Sequence, residues 1–358
     1  MAECVVYGNG SSPTLARYHG NGSGNTLYSP ASQAAATTYL NGVQPWGGMQ
    51  RCNVWTNGTL TAAYGTRCYT DTDVTNMGQV MVQIPQCCTY VDTSYSGQTV
   101  YWTGNIGDTF TLNGASGSFS GSTYTFTTSD IDPAFKVDGT AQSYGYVGAY
   151  EGHYNGSVLQ SVAGVTLTDT QTLTTCRSQA NAIGTGWGIM TVQMYALLEK
   201  LLITEYASLY TGSVFGPGIN SGGVKPTGST TSYGNTSYGG NGTTVGNSYR
   251  GVENVYGNRM KYIEGINIGS PSDYNVWIAP QVVSSGTYAC NTFASPYVNQ
   301  SVSISTGGYI ETMHVLPSWP FLPSTVGGSA STYFCGYCSP VTGVSMSLRS
   351  GSSVYSNS

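Results

Sequence analysis

Short runs of alternating polar and apolar residues fill the chain between residues 44 and 131. Gln79–Pro85 alternates as a half-buried strand does. Residues 59–64 follow Asn57-Gly58, which is a strong hairpin turn signal. The same pattern recurs at residues 99–103, 109–112 and 123–127. Residues 44–131 are therefore predicted to form a β-rich module.

A helical period appears only after residue 132. Cys176, Ala180 and Ile183 share one helical face, which predicts a helix over residues 174–184. A second helix is predicted to start after Thr191, whose hydroxyl can cap free N–H groups of the first turn, and to reach about residue 209. Its amphipathic stripe consists of Met194, Leu197, Leu198, Leu201 and Leu202. These are the only two helices that the sequence predicts.

Two long stretches show no period. Residues 1–43 are predicted to be an irregular or extended arm that serves attachment or assembly. Residues 211–248, rich in Gly, Ser, Thr, Asn and Tyr, are predicted to be a long loop. Such a loop is either an adaptable binding surface or a solvated spacer.

With short strands returning at 249–337, the predicted fold is α+β and β-rich: an arm (1–43), a β-rich module (44–131) and a second domain (132–358).

Charge is scarce along the whole chain. Only 8% of the 358 residues are charged, with 11 Lys+Arg against 16 Asp+Glu, whereas soluble domains average about 25%. A net charge of −5 without a basic cluster predicts no nucleic-acid partner. The sequence contains no run of about 18 apolar residues, so no membrane span is predicted. No export signal is visible at the N-terminus. A surface of Gly, Ser, Thr, Asn and Tyr is typical of extracellular proteins and virus particles.

Candidate metal and redox residues are few and scattered. Among nine cysteines, only Cys335 and Cys338 form a C-x-x-C pair, and no second ligand pair follows to complete a zinc site. Asp130 and Asp132 lie two apart, but calcium requires 6–8 oxygen ligands, so solvated loop carboxylates are expected. The sequence therefore predicts no metal and no cofactor. The cysteines are expected to be buried thiols or to form a few disulfides.

Residues 249–258 (YRGVENVYGN) stand out in a chain this poor in charge. Arg250 and Glu253 lie three apart and are expected to form a charge-assisted pair. Asn254, Gly257 and Asn258 can supply tight turns and side-chain-to-backbone hydrogen bonds. The segment holds no nucleophile and no base, so it is interpreted as a structural motif that supports irregular backbone.

This segment resembles the Y-R-G-x-E-N-x-x-G-N signature of C-type-lectin-fold proteins related to the formylglycine-generating enzymes. It most resembles the branch found in bacteriophage tail-fibre and host-recognition proteins. Similar passages follow the family order at residues 46–54 and 78–85, 132–135 and 146–152, 184–191, and 327–335. The resemblance covers roughly residues 44–350 and implies a C-type-lectin-like domain with two helices over residues 132–358.

The chain departs from the family in several ways. Tyr256 and Tyr262 stand where the family usually has Trp. The sequence stops at Ser358, whereas relatives continue with further strands, which carry the ligand-contacting residues in the variable proteins of diversity-generating retroelements. Either a partner chain is expected to complete the domain, or its binding surface is built differently.

The resemblance implies a non-enzymatic virion structural protein: a fibre, spike or decoration subunit at the virion surface. Its expected partners are host-surface carbohydrate or protein, other virion proteins and, by analogy, further copies of itself in a homotrimer. Aromatic rings offer stacking faces and orienting hydroxyls to such ligands. The candidate ligand-binding residues are Trp319, Tyr333, Tyr337, Tyr355, Tyr233 and Tyr238. For each of them, packing in the core or in a subunit interface is the alternative.

Two other functions stay open at this point. A cellular surface filament or adhesin would have the same Gly/Tyr/Thr-rich surface, although it would require export. A copper oxidase like the formylglycine-generating enzymes would hold its metal with Cys335 and Cys338. Those cysteines lie in a motif shared with the non-catalytic phage branch, and the only charge near them in sequence is Arg349.

Overall fold

The described part of the chain is β-rich and of the α+β class, as predicted. The computed structural model describes residues 1–8, 15–20, 25–28, 30, 32–54, 79–93, 98–112, 121–167, 171–269, 274–303, 305–314, 322–327, 329, 337–338, 343–344 and 347–348. Within these ranges, strands account for more of the regular structure than helices.

The first sheet joins the N-terminal residues to the predicted β-rich module. It comprises β1 (Glu3–Gly8), β2 (Ala16–Gly20), β3 (Asn25–Tyr28), β6 (Cys88–Asp92) and β7 (Gln98–Gly104). The antiparallel order is β3-β2-β1-β7-β6, and β1 pairs with β7 over its whole length. Within residues 1–43, β1 therefore makes backbone hydrogen bonds with a strand far away in the sequence, whereas β2 pairs with its neighbours β1 and β3.

The second sheet crosses the predicted boundary at residue 131. It consists of β4 (Gln50–Val54), β5 (Gln79–Pro85) and β12 (Tyr144–Gly148), with β5 in the middle and antiparallel to both neighbours. Val80, Val82 and Ile84 alternate into the main core, which confirms the strand predicted at Gln79–Pro85. Val147 of β12 joins the same core. Residues on the two sides of the predicted boundary thus share one hydrophobic interior.

Short antiparallel pairs make up much of the remaining regular structure. They are β8 (Thr109–Thr111) with β9 (Thr123–Thr125), β10 (Lys136–Val137) with β11 (Thr140–Ala141), β13 (Gly152–Tyr154) with β14 (Leu159–Ser161), β15 (Ser248–Tyr249) with β16 (Val252–Glu253), and β17 (Lys261–Tyr262) with β25 (Ser347–Leu348). Their two- and three-residue lengths leave long irregular stretches between them, as the abundance of glycine and asparagine favours.

Two further sheets lie in the C-terminal part. One has the order β20-β19-β18-β24 and contains β18 (Ile266–Ile268), β19 (Asn275–Ile278), β20 (Val298–Ser303) and β24 (Gly343–Val344). The other has the order β22-β21-β23 and contains β21 (Gly308–His314), β22 (Leu322–Val326) and β23 (Tyr337–Cys338). Apolar side chains of both sheets form a second core.

The longest described helix lies between the two cores. The described helices are α1 (Gln33–Leu40), α2 (Leu173–Asn181), α3 (Val192–Tyr206) and α4 (Thr211–Val214). As predicted, the Thr191 hydroxyl caps α3 by accepting a hydrogen bond from the N–H of Met194 at 3.3 Å. Leu197 and Leu201 pack in the main core, whereas Val192 packs in the second. None of the helices in the described ranges has the length and apolar character needed to cross a membrane.

Helix α1 was not predicted from the sequence. Its only buried residues are Ala36 and Leu40, so it has almost no apolar stripe for a periodicity search to detect. Ser32 caps it by accepting from the N–H of Ala35 at 3.2 Å, and the helix packs against α3. Tertiary packing, rather than the local pattern, therefore decides this helix.

Candidate binding site

The loop over residues 211–248 brings two candidate ligand-binding residues into contact. Tyr233 ends a 3-10 turn, and the backbone of Tyr238 exchanges two hydrogen bonds of 2.7 Å with Ser248. The rings of Tyr233 and Tyr238 stack with their centroids 4.0 Å apart and 10° between their planes. Both side chains are half-buried. The stacked pair and its fixed backbone distinguish this loop from a solvated spacer.

The hydroxyl chemistry of this pair suits binding. The pKa of Tyr233 is raised above its usual value of 10.0, chiefly because its side chain is hydrogen-bonded to Tyr238. Tyr233 therefore keeps its proton at neutral pH, where its hydroxyl can donate or accept a hydrogen bond but does not act as a base. The pair offers flat apolar rings together with polar edges.

The side chain of Glu253 is hydrogen-bonded to the loop that carries the tyrosine pair. Its carboxylate accepts hydrogen bonds from the N–H of Gly228 at 2.8 Å and from both the N–H and the hydroxyl of Thr230 at 2.7 Å each. Burial raises the pKa of Glu253, while the hydrogen bonds from Thr230 and Gly228 act in the opposite direction. Glu253 thus replaces the water that the N–H groups of this turn would otherwise bind.

Arg250 does not pair with Glu253, so the ion pair expected from their spacing is wrong. Its guanidinium binds Glu205 of α3 with two hydrogen bonds, Nε to Oε2 at 2.7 Å and Nη2 to Oε1 at 2.8 Å. Nη1 also donates to the Asn41 side chain and to the Trp46 carbonyl, each at 3.0 Å. Arg250 and Glu205 are both buried.

The hairpin geometry explains why the neighbouring Glu253 is not the partner. Arg250 and Gly251 form the two-residue turn between β15 and β16, with φ values of 47° and 95°. Two positive φ values are the mark of a type I′ hairpin turn. Arg250 therefore lies at the tip, whereas Glu253 lies back along the strand opposite Ser248. A three-residue separation would bring the side chains together on a helix, but not in this turn.

Arg51 is a second buried arginine at this site, and the sequence did not single it out. Its Nε donates to the Gly251 carbonyl at 2.8 Å and its Nη1 to the Tyr150 hydroxyl at 3.0 Å. Its backbone N–H donates to the side chain of Asn235 at 2.8 Å, which fixes the loop between the two stacked tyrosines. Arg51 thus ties β4, the hairpin tip and the tyrosine loop together. The available signal was an arginine within a β-prone run of a chain with few charges.

Asn254 and Asn258 adopt left-handed backbone conformations, with φ of 52° and 58°. Their side-chain amides both donate to Oε2 of Glu151, at 2.8 Å for Asn254 and 2.5 Å for Asn258. Lys261 completes the cluster with its Nζ 3.2 Å from Oε1 of the same carboxylate. Gly257 lies between the asparagines with φ of 84°. Asparagine and glycine are the residues that tolerate such conformations.

The other candidate ligand-binding residues cannot be placed at this site. Trp319, Tyr333 and Tyr355 lie outside the described residues. Tyr337 is described only by its backbone, which pairs with Tyr309 in the register of β21 and β23. Tyr233 and Tyr238 are therefore the members of the predicted set that the structure brings together.

Asp132 is not the solvated loop carboxylate that its sequence context suggested. It is 1% exposed, and its Oδ2 lies 2.6 Å from Nζ of Lys200 and 2.7 Å from the hydroxyl of Thr89. Its Oδ1 accepts from the N–H of Ala134 at 3.0 Å. The expectation was wrong because α3 packs across this turn and places Lys200 against it. These contacts occupy the carboxylate with protein partners.

The described residues contain no group of three or more His, Cys, Asp or Glu that could hold a metal ion. Within the same ranges, Cys4, Cys87 and Cys88 are buried thiols, and Cys176 and Cys290 are half-buried thiols. Of the pair considered for copper, Cys335 lies outside the described residues, and Cys338 is described only by its backbone.

A cavity of about 1070 Å³ runs beside α3. Trp187, Met194 and Tyr195 are among its lining residues, and Glu151 and Glu253 also reach it. Glu151 is bound by asparagine amides and Glu253 by backbone N–H groups. Both carboxylates therefore stabilise the fold at this cavity.

Comparisons with known proteins add no relative. No model of a protein family matches the chain, and a search of curated proteins finds no match. The geometry of the tyrosine loop and its supports therefore carries the functional conclusion.

Proposed function

We propose that the protein is a non-enzymatic virion structural protein, a fibre, spike or decoration subunit. It displays a C-type-lectin-like domain and recognises carbohydrate or protein on the host surface. In this proposal Tyr233 and Tyr238 contact the ligand, and the hairpin around Arg250 and Glu253 keeps their loop in place. The chain would be located at the virion surface, where it contacts other virion proteins and copies of itself.

The stacked tyrosine pair is the observation that carries the proposal. An aromatic face binds the apolar side of a sugar ring or a protein side chain, and the phenol orients it by hydrogen bonding. Tyrosine also loses little conformational entropy on binding, because it has only two side-chain torsions. Here the backbone of Tyr238 is already held by Ser248, so less ordering is required when a ligand binds.

The order of elements supports the lectin-like part of the proposal. The strands β12 and β13 are followed by α2 and α3, and the hairpin of the signature comes after the long loop. This is the order that the resemblance implies for such a domain. The two-helix segment and the signature are also in direct contact, through the ion pair between Glu205 and Arg250.

The use of charge supports a display role over catalysis. Enzyme sites usually contain titratable groups held ready in a pocket for acid or base chemistry. In this chain of low charge, many buried or half-buried charges are instead paired with one another: Arg250 with Glu205, Lys200 with Asp132, Arg177 with Glu264, and Lys261 with Glu151. Such pairs hold the fold together and leave fewer charged groups for a reaction.

The attachment role is tested with particles that carry variant chains. Replacing both Tyr233 and Tyr238 by Ala should lower the fraction of particles that adsorb to host cells by about tenfold or more, because both stacking faces are lost. Tyr262→Ala is the matched control, since this tyrosine is 39% exposed and lies outside the loop. Unchanged adsorption by the double variant, with the chain present in the particles, would refute the role of the pair.

The virion location is tested separately from the binding role. Mass spectrometry of purified particles should detect this chain in stoichiometric amount. Labelling with an antibody against it should mark the particle surface. Particles that lack the chain would overturn the virion assignment, whatever the tyrosine pair binds.

A further inference from the structure

The outer face of the second sheet carries a row of uncharged polar side chains. One face of β5 is buried in the main core through Val80, Val82 and Ile84. On the other face, Gln83 lies opposite Gln50 of β4 and Tyr146 of β12. The three side chains therefore form a line across the sheet, perpendicular to its strands.

Hydrogen bonds orient this row. Nε2 of Gln50 donates to Oε1 of Gln83 at 3.3 Å, and Nε2 of Gln83 donates to the hydroxyl of Tyr146 at 2.7 Å. Gln83 is only 9% exposed. Because Oε1 and Nε2 of Gln83 both have partners, its side-chain amide cannot flip without losing these hydrogen bonds. The row is therefore a polar surface whose side chains have a fixed orientation.

A hollow of about 430 Å³ opens beside this row. It is lined by Gln44, Gly48, Gln50, Gln83, Pro85, Gln86, Ser143 and Tyr144. None of these side chains is charged. Tyr144 lies opposite Pro85 in the sheet and is 47% exposed, so its ring is available at the rim.

Two of the amides that line the hollow retain unused hydrogen-bonding capacity. Gln86 donates through Nε2 to the Gln142 carbonyl at 2.7 Å, and its Oε1 has no partner among the described residues. Gln44 is exposed, and its side chain makes no hydrogen bond to the described part of the protein. Gly48 makes room for it, since a Cβ at that position would lie 2.4 Å from both Oε1 of Gln44 and Cγ of Pro85.

We propose that this hollow binds a neutral saccharide. Sugar hydroxyls both donate and accept hydrogen bonds, and glutamine is a side chain that also does both without carrying charge. The Tyr144 ring can stack on the apolar side of a sugar ring. A charged ligand would lose its hydration with no opposite charge in the lining to compensate it. The volume is near the lower end of the usual range for ligand sites, which suits about one or two sugar rings.

The hollow shares no residue with the Tyr233–Tyr238 pair. It lies on a sheet that includes β4 and β5, which precede the proposed lectin-like domain in sequence. The two proposals therefore fail independently. A saccharide bound here would be a second contact to a glycan surface, and two such contacts on one chain strengthen attachment by raising the effective concentration.

The test uses the purified full chain and ligand-observed NMR with neutral sugars: glucose, galactose, N-acetylglucosamine and their disaccharides, each up to roughly 10 mM. Sialic acid and glucosamine serve as charged probes. At least one neutral sugar should bind, and Tyr144→Ala and Gln86→Ala should each weaken its binding by about fivefold to tenfold. Tyr262→Ala, at a tyrosine that is 39% exposed and does not line the hollow, should bind that sugar unchanged.

Three results would overturn the proposal. The first is that no neutral sugar binds, and the second is that binding is unaffected by both Tyr144→Ala and Gln86→Ala. The third is a protein occupant, detected by sedimentation as self-association that Tyr144→Ala abolishes. Because Tyr144 is 47% exposed and Gln86 is half-buried in the segment that follows β5, both variants should fold, and circular dichroism verifies this.

Discussion

Removing the Arg250 side chain should destabilise the protein severely. In Arg250→Met the Glu205 carboxylate, which is 0% exposed, loses both of its guanidinium hydrogen bonds. The Asn41 side chain and the Trp46 carbonyl lose a charged donor as well. Removing one partner of a buried ion pair costs about 3–5 kcal/mol, because the other charge stays buried without compensation. An exposed ion pair would cost less than about 1 kcal/mol.

The assay is urea unfolding of the full chain, followed by tryptophan fluorescence and circular dichroism. At an unchanged slope, the lower midpoint of Arg250→Met gives the loss in free energy of unfolding. The matched variant is Glu205→Leu/Arg250→Met, which removes both charges together. Its loss should be smaller than the sum of the two single losses by about 2 kcal/mol or more.

A second double-mutant cycle tests whether Arg250 is coupled to Glu253, its neighbour in sequence, as strongly as to Glu205. Arg250→Met combined with Glu253→Gln should show a coupling energy below about 0.5 kcal/mol, the value typical of sites that do not share partners. A cost of Arg250→Met below about 1 kcal/mol would refute the reasoning. So would a stronger coupling of Arg250 to Glu253 than to Glu205.

The remaining predictions concern the tyrosine pair, a second buried ion pair and a helix cap. In Tyr238→Phe the pKa of Tyr233 should fall back toward 10.0, measured by NMR of labelled tyrosine. In the parent protein this hydrogen bond should stabilise the fold at neutral pH and lose that effect as pH rises through the raised pKa. Lys200→Met should cost about 3–5 kcal/mol in urea unfolding, because it leaves Asp132 buried without its cation. Thr191→Ala should cost about 1 kcal/mol by removing the cap of α3, and a loss below a few tenths would contradict that capping role.

Part of the site could be predicted from sequence, because some residue types favour a particular backbone conformation. Asn254, Gly257 and Asn258 indicate tight turns, and positive φ values are found at each of them, as they are at Arg250 and Gly251 of the hairpin tip. The tyrosine-rich composition of residues 211–248 also indicated a candidate binding loop. Which tyrosines meet could not be predicted, since the stack of Tyr233 on Tyr238 depends on a backbone pairing with Ser248.

The sequence by itself determined the β-rich class, the strand at Gln79–Pro85 and the helix that begins after Thr191. Each of these depends on a period or a cap that spans only a few neighbouring residues. The tertiary structure alone decided that β1 joins the sheet beside β7, and that Arg250 binds a carboxylate 45 residues away. Strand pairing and ion pairing act between surfaces that folding brings together, so local spacing does not specify the partner.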